Sequence, residues 1–408
     1  MQPMLFPNLR HLRVFAEVAE SGSISQAANR VFLSQPAMTQ AIAKLEGQLD
    51  AVLFDRQSSG MYLTREGEIW LARVKRCLDW IQLGLTEIQG TQTTGRQARA
   101  AQQITQISST QLRALMAVTD RQNFTLASRD LGISQSSLHR SARDLEGSLG
   151  ISLFEKTSTG IAATRPARIL TQRAKLAVAE IAQGVEELSA ARNRERGRLR
   201  IGSMPLARTS LLPMAINRFT AAHPGLTLEL VDGPYEDLLG HLINADLDVV
   251  VGALRSPAPT ETILQRELIA PPLAIIGRAD HPLRGANNLT VQQLATYPWV
   301  VPREGTPTRE FFNSHFAEPL ASGYMSLVET TSHVLTREVL LGSDRLTLVS
   351  RHQLEHEIQA GQLAVMPYAL SHTRRSIGFM QRRDWKATTT QQKFIDILQS
   401  CAAEYADI

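Results

Sequence analysis

The sequence predicts a multidomain chain of the α plus α/β class: two winged helix-turn-helix domains with long linker helices, followed by a two-lobed α/β domain. The first observation is that a stretch of the chain recurs 100 residues later without a gap. The second is a long apolar helix pattern after each copy, and the third is an alternation of strand and helix patterns from Gly197 onward. A fixed period marks a repeated structural unit, and alternating strands and helices predict a parallel sheet.

The repeated stretch is Leu12–Leu78, which can be laid on Leu112–Val178. The predicted boundaries are 1–67 and 108–167 for the two winged domains, 68–89 and 168–196 for their linker helices, 90–107 for a linker, and 197–408 for the last domain. The residues that recur 100 positions later are Leu12, Arg13, Val18, Ala27, Ser34, Gln35, Leu45, Glu46, Gly47, Leu49, Leu53, Phe54, Ser58, Gly60, Thr64 and Arg65.

The first copy opens with two short helices. Apolar residues of Leu12–Ala19 recur at spacings of three and four, which predicts one face of a helix. Ser21–Ser23 is expected to end that helix. Ser25 is predicted to cap the next one, Gln26–Val31, because a serine side chain can accept a hydrogen bond from a free N–H of the first turn.

A longer helix follows and supplies the recognition surface. Ser34 is predicted to cap it, Pro36 lies in its first turn where a missing N–H does no harm, and the pattern runs to about Leu49. Such a capped second helix after a tight turn forms a helix-turn-helix, and it enters the major groove of DNA by its N-terminal end. The exposed residues expected to reach base edges are Gln35, Met38, Thr39 and Gln40.

Two short strand patterns around a turn predict a wing. The strands are Leu53–Arg56 and Met61–Arg65, and the turn is Ser58–Gly60. Arg56 and Arg65 are expected to face DNA phosphates, which position a protein on the duplex without revealing its sequence.

These strings together resemble the LysR-type transcriptional regulators. The resemblance implies a DNA-binding regulator in which Gln35 and its neighbours contact bases, while Ser34, Thr39, Arg56 and Arg65 hold backbone or wing contacts. Chemically, a glutamine side chain can pair bidentately with adenine. The strings that carry the resemblance are Phe15…Ser23…Ala27-Ala28, Leu33-Ser34-Gln35-Pro36-Ala37, Leu45-Glu46, Leu53-Phe54-Asp55-Arg56 and Leu63-Thr64-Arg65-Glu66-Gly67.

The second copy keeps the core, the cap and the wing turn but has a more basic recognition face. Ser136 stands where the first copy has Pro36, and Ala167 where it has Gly67. The added positive charge predicts a greater reliance on phosphate contacts. Two interpretations stay open: a second DNA-binding domain, or a decayed duplicate kept for packing. The residues expected at DNA are Ser134, Gln135, His139, Arg140, Arg143 and Lys156.

Each copy is followed by a heptad pattern that needs a partner helix. Packing of each helix back onto its own domain is one interpretation, and the family resemblance implies another, a dimerisation helix that links two chains. Gly90–Thr110 is rich in Gly, Gln and Thr and predicts a linker of loose or helical character. The two seams are Leu71, Val74, Leu78, Ile81, Leu85 and Ile88, and Leu170, Ala174, Ala177, Ile181, Gly184, Leu188 and Ala191.

Composition bounds the function. The formal charge of +4 and the pI near 9.2 are mildly basic and alone would support nucleic-acid binding only weakly. The two cysteines, Cys77 and Cys401, fit a reduced cytoplasm without a disulfide framework. Because no metal-site spacing, nucleophile motif or phosphate loop occurs, neither a cofactor nor an enzyme activity is predicted. No segment is long and apolar enough to span a bilayer.

The last domain is predicted to have two α/β lobes, lobe 1 from 197–256 and 368–408 and lobe 2 from 257–367. A helix over Leu211–Ala222 belongs to lobe 1, and a segment over Leu268–Ile276 opens lobe 2. Two lobes that the chain crosses twice leave a cleft, where ligands favour the C-terminal ends of strands and the N-termini of helices.

This half also resembles the periplasmic-binding-protein-like effector domain of LysR-type regulators, and looks closest to the branch of galactose-binding-protein and protocatechuate regulators. The strings include Gly197-x-Leu199-Arg200-Ile201-Gly202, Leu247–Gly252, Pro298-Trp299-Val300 and Gly305-Thr306-Pro307-x-Arg309. The resemblance implies an effector between the lobes, on the loops Ser203–Thr209, Pro302–Thr308 and Thr330–Ser332.

Each of these loops precedes a helix, whose free N–H groups favour an anion. A small organic or aromatic carboxylate is therefore the first expectation for the effector, and a sugar the second. For any single residue the alternative is a helix cap or a turn. The residues expected to contact the effector are Ser203, Met204, Arg208, Thr209, Pro302, Gly305, Thr306, Thr331 and Ser332.

The sequence therefore predicts a cytoplasmic, effector-controlled regulator of transcription. Its expected partners are double-stranded DNA, a small-molecule effector, further copies of itself in a homodimer or homotetramer, and RNA polymerase. One alternative is an effector-independent protein that bridges or bends DNA with its several DNA-binding domains. Another is a small-molecule enzyme with DNA-binding appendages, for which the sequence offers no chemistry.

Overall fold

The computed structural model describes residues 6–58, 60–89, 96–158, 160–192, 194, 197–323, 325–371 and 373–406. They fall into two compact units. The first runs to Gly197 and includes Asn244–Asp246, and the second comprises Arg198–Ile243 and the chain from Leu247 onward. Each unit has its own buried apolar core. Among the described helices, none is long and apolar enough to cross a membrane.

The first winged domain has the predicted three helices and two-stranded wing. Asn8, Ser23 and Ser34 cap the helices, each accepting a hydrogen bond from a backbone N–H of the first turn. The cap at Ser23 corrects the prediction of Ser25, because the second helix begins two residues before Gln26. Ser59 of the predicted wing turn lies outside the described residues. The elements are α1 (Leu9–Ser21), α2 (Ile24–Val31), α3 (Gln35–Leu49), β1 (Phe54–Gln57) and β2 (Gly60–Leu63).

Two helices follow the first wing, α4 (Arg65–Glu87) and α5 (Arg96–Gln103). The short α5 packs beside α4, and the Gln89 side-chain amide donates to Gln103 Oε1 at 2.7 Å. Part of the predicted linker is therefore helical. Its residues 90–95 lie outside the part of the chain that the structure describes.

The second winged domain repeats the first. Ser108 opens it with a capping box, in which its hydroxyl accepts from Gln111 N while the Gln111 side chain accepts from Ser108 N. Both wings are antiparallel in the same register, with Phe154 opposite Ala163 as Phe54 is opposite Leu63. The elements are α6 (Ser109–Arg121), α7 (Phe124–Leu131), α8 (Gln135–Leu149), β3 (Phe154–Thr157), β4 (Gly160–Ala163) and α9 (Arg165–Ala191).

The linker helices α4 and α9 pack against each other within this one chain. A single apolar core holds residues of both winged domains and of both helices. The prediction that each seam needs a partner helix is confirmed. The partner that the resemblance implied to lie in a second chain lies in the same chain, because the duplication supplies both helices. In α4 the seam is rotated slightly, with Trp70 and Cys77 buried and Leu71 and Leu78 half-buried.

The second unit begins with alternating strands and helices, which form most of lobe 1. The helix α10 has the predicted bounds. The elements are β5 (Gly197–Ser203), α10 (Leu211–Ala222), β6 (Leu226–Asp232), α11 (Tyr235–Ile243), β7 (Val249–Ala253) and β8 (Ile263–Ile269).

Lobe 2 follows with a second set of strands and helices, and the chain then returns to lobe 1. The lobe 2 elements are β9 (Leu273–Arg278), α12 (Val291–Ala295), β10 (Trp299–Val301), α13 (Pro307–His315), α14 (Ala317–Ala321), β11 (Leu327–Glu329), α15 (His333–Leu341), β12 (Leu346–Ser350), α16 (Glu355–Gln359) and β13 (Leu363–Val365). The returning elements are β14 (Ile377–Arg382) and α17 (Thr389–Ala406).

Each lobe is built on one five-stranded sheet, in the order β6-β5-β7-β14-β8 for lobe 1 and β11-β10-β12-β9-β13 for lobe 2. The strand β8 corrects the predicted lobe boundary, since it pairs with β14 and so belongs to lobe 1. The predicted segment Leu268–Ile276 is therefore two strands of different lobes, separated by Pro271 and Pro272. Two consecutive prolines withhold backbone donors, so a single central strand cannot continue through them.

Candidate DNA-binding surface and effector cleft

The recognition helix α3 presents a short polar face at its N-terminal end. Gln35 and Gln40 are exposed, and Thr39 is half-buried. The Gln35 amide nitrogen donates to Ser25 Oγ at 3.3 Å, so the side chain is held near the start of the helix. Ser34 Oγ accepts from Ala37 N at 3.4 Å as the helix cap. This face is accessible to a DNA groove.

Met38 does not belong to that face, which corrects its predicted role at base edges. Its side chain is fully buried. Met38, Ile42, Leu45 and Leu49 are spaced by four, three and four residues and together form the buried stripe of α3. The same spacing in the sequence could have placed Met38 in the core.

The wing carries Arg56 but not Arg65. Arg56 is exposed on β1, opposite Met61 of β2. Arg65 is exposed as the first residue of α4, which corrects its prediction as a strand residue. The Thr64 hydroxyl accepts from Gly67 N at 3.0 Å and donates to Val52 O at 2.7 Å. Thr64 therefore caps α4, and the wing ends before it.

The second winged domain preserves this arrangement with more charge. Ser134 caps α8 by accepting from Ser137 N at 3.2 Å, and Gln135 is exposed beside it. His139 is half-buried and stacks on Phe124, with ring centroids 3.8 Å apart. Arg140 and Arg143 on α8 and Lys156 on β3 are exposed. The cap of α8 and the apolar core of the second copy are both intact.

In lobe 1, the predicted effector loop leaves the C-terminal end of β5. Ser203 is buried, and its hydroxyl accepts from Arg208 Nε at 3.1 Å. Arg208 also forms an ion pair with Asp232, at 3.1 Å between Nε and Oδ1. Met204 is buried against Gly252, where an added side chain would collide with Met204 Cβ. Met204 is thus explained by packing.

Two hydroxyl groups at the end of that loop are buried without a hydrogen-bond partner among the described residues. They are Thr209 Oγ1 and Ser210 Oγ. Ser210 occupies the N-cap position of α10, but its side chain makes no capping hydrogen bond. A buried hydroxyl without a partner is unfavourable by about 1–3 kcal/mol. Thr209 was predicted, whereas Ser210 was missed, although a hydroxyl residue directly before Leu211 was a visible signal.

In lobe 2, the predicted hydroxyls serve as helix caps. Thr306 Oγ1 accepts from Arg309 N at 3.3 Å and donates to Arg303 O at 2.8 Å, which starts α13. Ser332 Oγ accepts from Leu335 N at 3.3 Å and starts α15. Gly305 has a φ of +75°, which favours glycine in this turn. Thr331 is exposed.

Arg309, which was not predicted at the site, joins the two lobe 2 loops. This buried side chain donates from Nη1 to Pro302 O at 2.9 Å and to Glu329 Oε2 at 2.8 Å. It therefore holds the end of β10 next to the end of β11. Its guanidinium is a positioning group whose charge is already matched by Glu329.

Two histidines of lobe 2 face the lobe 1 loop. His352 Nε2 lies 3.0 Å from Leu206 O, a hydrogen bond that joins the lobes. His333 Nε2 lies 2.8 Å from Gln353 Nε2. Burial lowers the pKa of His352, and burial together with the charges of Arg208 and His352 lowers the pKa of His333. Both imidazoles are consequently neutral at neutral pH.

We expect the stability of the second unit to fall as the pH drops below 6.5, the ordinary pKa of histidine. The unfolded chain takes up protons there, while the folded chain resists protonation of His333 and His352, so acid favours unfolding. His281 and His315 contribute in the same direction. Thermal unfolding between pH 7.5 and 5.5 measures the loss, and His352→Gln should reduce it. An unchanged pH dependence in that variant would contradict the assignment.

Comparisons with known proteins agree with these features. Residues 9–68 and again 109–168 match the "Bacterial regulatory helix-turn-helix protein, lysR family". Residues 192–402 match the "LysR substrate binding domain". Among the described residues, the two helix-turn-helix matches cover α1–β2 and α6–β4.

Several named regulators are similar to this chain. "HTH-type transcriptional regulator GalR" of Pseudomonas putida is 34% identical over 376 residues, 92% of each chain. "HTH-type transcriptional regulator PcaQ" of Agrobacterium fabrum is 26% identical over 301 residues, 72% of this chain and 95% of its own.

Solved structures share the fold. Full-length LysG from Corynebacterium glutamicum with bound effector Arg has a TM-score of 0.52 at 20% identity, over 72% of this chain and 97% of its own. A full-length variant of OxyR from Pseudomonas aeruginosa has a TM-score of 0.52 at 18% identity, over 72% of this chain and 93% of its own. With two helix-turn-helix matches and a substrate-binding match over half its length, the chain belongs to the LysR family of transcriptional regulators.

Proposed function

We propose that this chain is a cytoplasmic regulator of transcription and not an enzyme. It contacts DNA with both winged domains and responds to a small anionic effector that binds between its lobes. Further copies of itself, as a homodimer or homotetramer, and RNA polymerase are its proposed protein partners. The DNA-contacting residues we propose are Ser34, Gln35, Thr39, Gln40, Arg56, Arg65, Ser134, Gln135, His139, Arg140, Arg143 and Lys156. The exposure or capping role of each supports that assignment.

The observation that carries the effector site is a pair of buried hydroxyls, on Thr209 and Ser210, that have no hydrogen-bond partner in the part of the chain that the structure describes. A ligand that accepts their hydrogen bonds would remove an unfavourable term that the free protein carries. The neighbouring α10 has no side-chain cap, and the free N–H groups of a helix start favour negative charge. A carboxylate suits this combination better than a neutral sugar.

Arg208, which directly precedes Thr209 in the chain, supplies a positive charge. Its ion pair with Asp232 is partly exposed, so the carboxylate of an effector can compete for the guanidinium. His333 and His352, neutral and close to this loop, would add hydrogen-bonding groups without adding charge. Together these groups favour a small organic carboxylate with a polar or aromatic body.

Ser210→Ala should weaken the effector response while leaving the free protein at least as stable. The substitution removes a buried hydroxyl that has no partner, so the free energy of unfolding is expected to stay level or rise by up to about 1 kcal/mol. The matched control is Ser332→Ala, which removes a used cap and should lower stability by about 0.5–2 kcal/mol. Thermal unfolding and effector titration of both variants measure the two effects.

The decisive experiment is a footprint of the purified chain on the DNA beside its own gene, repeated with a panel of carboxylates and sugars. We expect a specific protected site whose extent changes with one carboxylate, and Ser210→Ala should weaken that change. If only a sugar changes the extent of the protected site, the effector is a sugar and not a carboxylate. Uniform, salt-sensitive protection with no ligand effect would instead favour an architectural DNA-bridging protein.

A further inference from the structure

The packing of α4 against α9 repeats its contacts with the two copies exchanged. Gly84 lies against Arg173, so that an added Cβ would be 2.9 Å from Arg173 Cβ. Gly184 lies against Arg73, where an added Cβ would be 3.2 Å from Arg73 Cβ. Each residue of the second contact is the counterpart, 100 positions along, of one in the first. Contacts that recur with the partners exchanged indicate a two-fold axis.

The ion pairs between α4 and α9 also recur with the two copies exchanged. Arg73 Nε donates to Glu187 Oε2 at 2.8 Å and its Nη2 to Oε1 at 2.5 Å. Arg173 Nε donates to Glu87 Oε2 at 2.9 Å and its Nη2 to Oε1 at 2.6 Å. Both pairs are bidentate and use the same atoms. The two copies are therefore equivalent in geometry where they meet.

Two further contacts mark the position of the axis. Leu9 N donates to Ser109 Oγ at 2.9 Å, and Trp80 Nε1 donates to Glu180 Oε1 at 3.5 Å. In each contact a residue meets its own counterpart, which is the property of residues beside a two-fold axis. An approximate two-fold axis thus passes near the starts of α1 and α6 and near the middle of α4 and α9.

The recognition helices follow the same symmetry. The first helix of each winged domain packs against both its recognition helix and a linker helix, α1 against α3 and α4, and α6 against α8 and α9. Because these contacts match, α3 and α8 are also related by the axis. Inverted half-sites in DNA are recognised by a protein whose two recognition helices have two-fold symmetry.

The symmetry is broken in a way that selects the pairing of α4 with α9. Glu180 accepts from Arg73 at 2.9 Å and from Arg76 at 2.8 Å, and all three side chains are buried or half-buried. The counterpart of Arg76 is Leu176. Two α9 helices from different chains would place Glu180 beside Glu180 without Arg76, which like-charge repulsion and burial disfavour. The pairing of one α4 with one α9 gives both Glu180 and Glu187 a cationic partner.

We propose that one chain binds both half-sites of an inverted operator, with α3 in one half-site and α8 in the other, and that the half-sites differ in sequence. This inference rests on the proposed DNA-binding function. A regulator with one winged domain per chain needs a dimer to present such a pair, whereas here the duplication presents it within one chain.

The two recognition faces predict how the half-sites differ. Gln35 and Gln135 are counterparts and predict a shared base pair. Gln40 is replaced by Arg140 and Ala43 by Arg143. Arginine pairs bidentately with guanine. The α8 half-site is therefore expected to carry G·C pairs at positions where the α3 half-site does not need them.

Directed cleavage of the operator tests the arrangement. Ser58 and Ser158 are exposed counterparts at the wing turns, and both native cysteines are buried, so Ser58→Cys and Ser158→Cys can each carry an iron chelate that cuts nearby DNA. We expect each label to cut one half-site of a pair, on opposite sides of the dyad and about one or more helical turns (~10 bp) apart.

The contrary outcomes separate the inference from the proposed function. If both labels cut both half-sites equally, or if the Ser158→Cys label cuts nowhere while the Ser58→Cys label cuts both, two chains supply the pair and the inference fails. If the unlabelled chain protects no specific site, the proposed function itself fails.

Arg140→Ala gives an independent readout. Affinity for the intact operator should fall by roughly ten-fold, and affinity for an operator with the α8 half-site scrambled should not change. An equal loss on both duplexes, or none on either, would overturn the assignment of α8 to one half-site.

Exchange of helices between chains is tested by crosslinking a mixture of heavy- and light-isotope chains. In each crosslinked pair, the α4 peptide and the α9 peptide should both be heavy or both be light. Mixed-isotope pairs would show that α4 of one chain packs on α9 of another, and the pairing within one chain would be refuted.

Discussion

Arg73→Ala should lower the free energy of unfolding of the first unit by about 3–5 kcal/mol. Only 5% of the Arg73 side chain is exposed, and 7% of Glu180. Burial alone would lower the pKa of Arg73, but its hydrogen bonds and charge interactions with Glu187 and Glu180 together raise it. Removing the guanidinium leaves Glu187 without this partner and leaves the buried Glu180 with Arg76 as its remaining cation. The buried carboxylates are then only partly compensated, which is strongly destabilising.

The duplication supplies a matched control in Arg173→Ala. Arg173 forms the equivalent bidentate pair with Glu87, but the two side chains are 20% and 33% exposed. Water screens this pair, so its loss should cost about 1 kcal/mol or less. Hydrogen exchange of the α4 and α9 amides, followed in denaturant, measures both variants. Equal effects would show that burial does not distinguish the two pairs.

The second large effect is expected at Gln35. Gln35→Ala should remove roughly ten- to hundred-fold of the discrimination between the correct and an altered base pair, because a bidentate side-chain contact contributes about 1–3 kcal/mol. General affinity at low salt should change far less, since phosphate contacts supply most of it. Dissociation constants for a panel of single-base operator variants measure the loss.

Arg56→Ala is the contrasting variant, because Arg56 is exposed on the wing strand β1. It should weaken binding to every sequence alike and reduce the slope of log K against log salt by about 1. Neither side chain is buried, so stability should be preserved in both variants. A change of base preference in Arg56→Ala, or a uniform loss in Gln35→Ala, would reverse the two roles.

Local signals predicted most of the helical half. Ser34 and Ser134 cap their recognition helices as expected. A capping serine accepts a hydrogen bond from a backbone N–H only two or three residues away, so the cap can be predicted from neighbouring residues. The sequence predicts Met38 at the DNA, although its spacing to Ile42 matches the buried stripe of α3. It predicts Arg65 on the wing, because a threonine that caps a helix and a threonine in a strand look alike until the following helix is recognised.

Long-range pairing was harder to predict. The strand β8 enters the lobe 1 sheet by pairing with β14, more than 100 residues away along the chain, and no local pattern states which sheet a strand will enter. The roles of the hydroxyl groups in the cleft loops were also hard to predict from the sequence. The hydroxyls of Thr306 and Ser332 cap helices, while those of Thr209 and Ser210 are buried and have no partner among the residues that the structure describes. Only the packing around them distinguishes the two cases.

Two copies of one DNA-binding domain before an effector domain could be predicted from the amino-acid sequence, because repeats, caps and periodicities are encoded in neighbouring residues. The pairing of the two linker helices within one chain, which relates the copies by a two-fold axis, became visible only in the folded structure. That arrangement depends on which buried charges meet. Glu180 reaches Arg73 and Arg76 only after two segments about 100 residues apart have packed together.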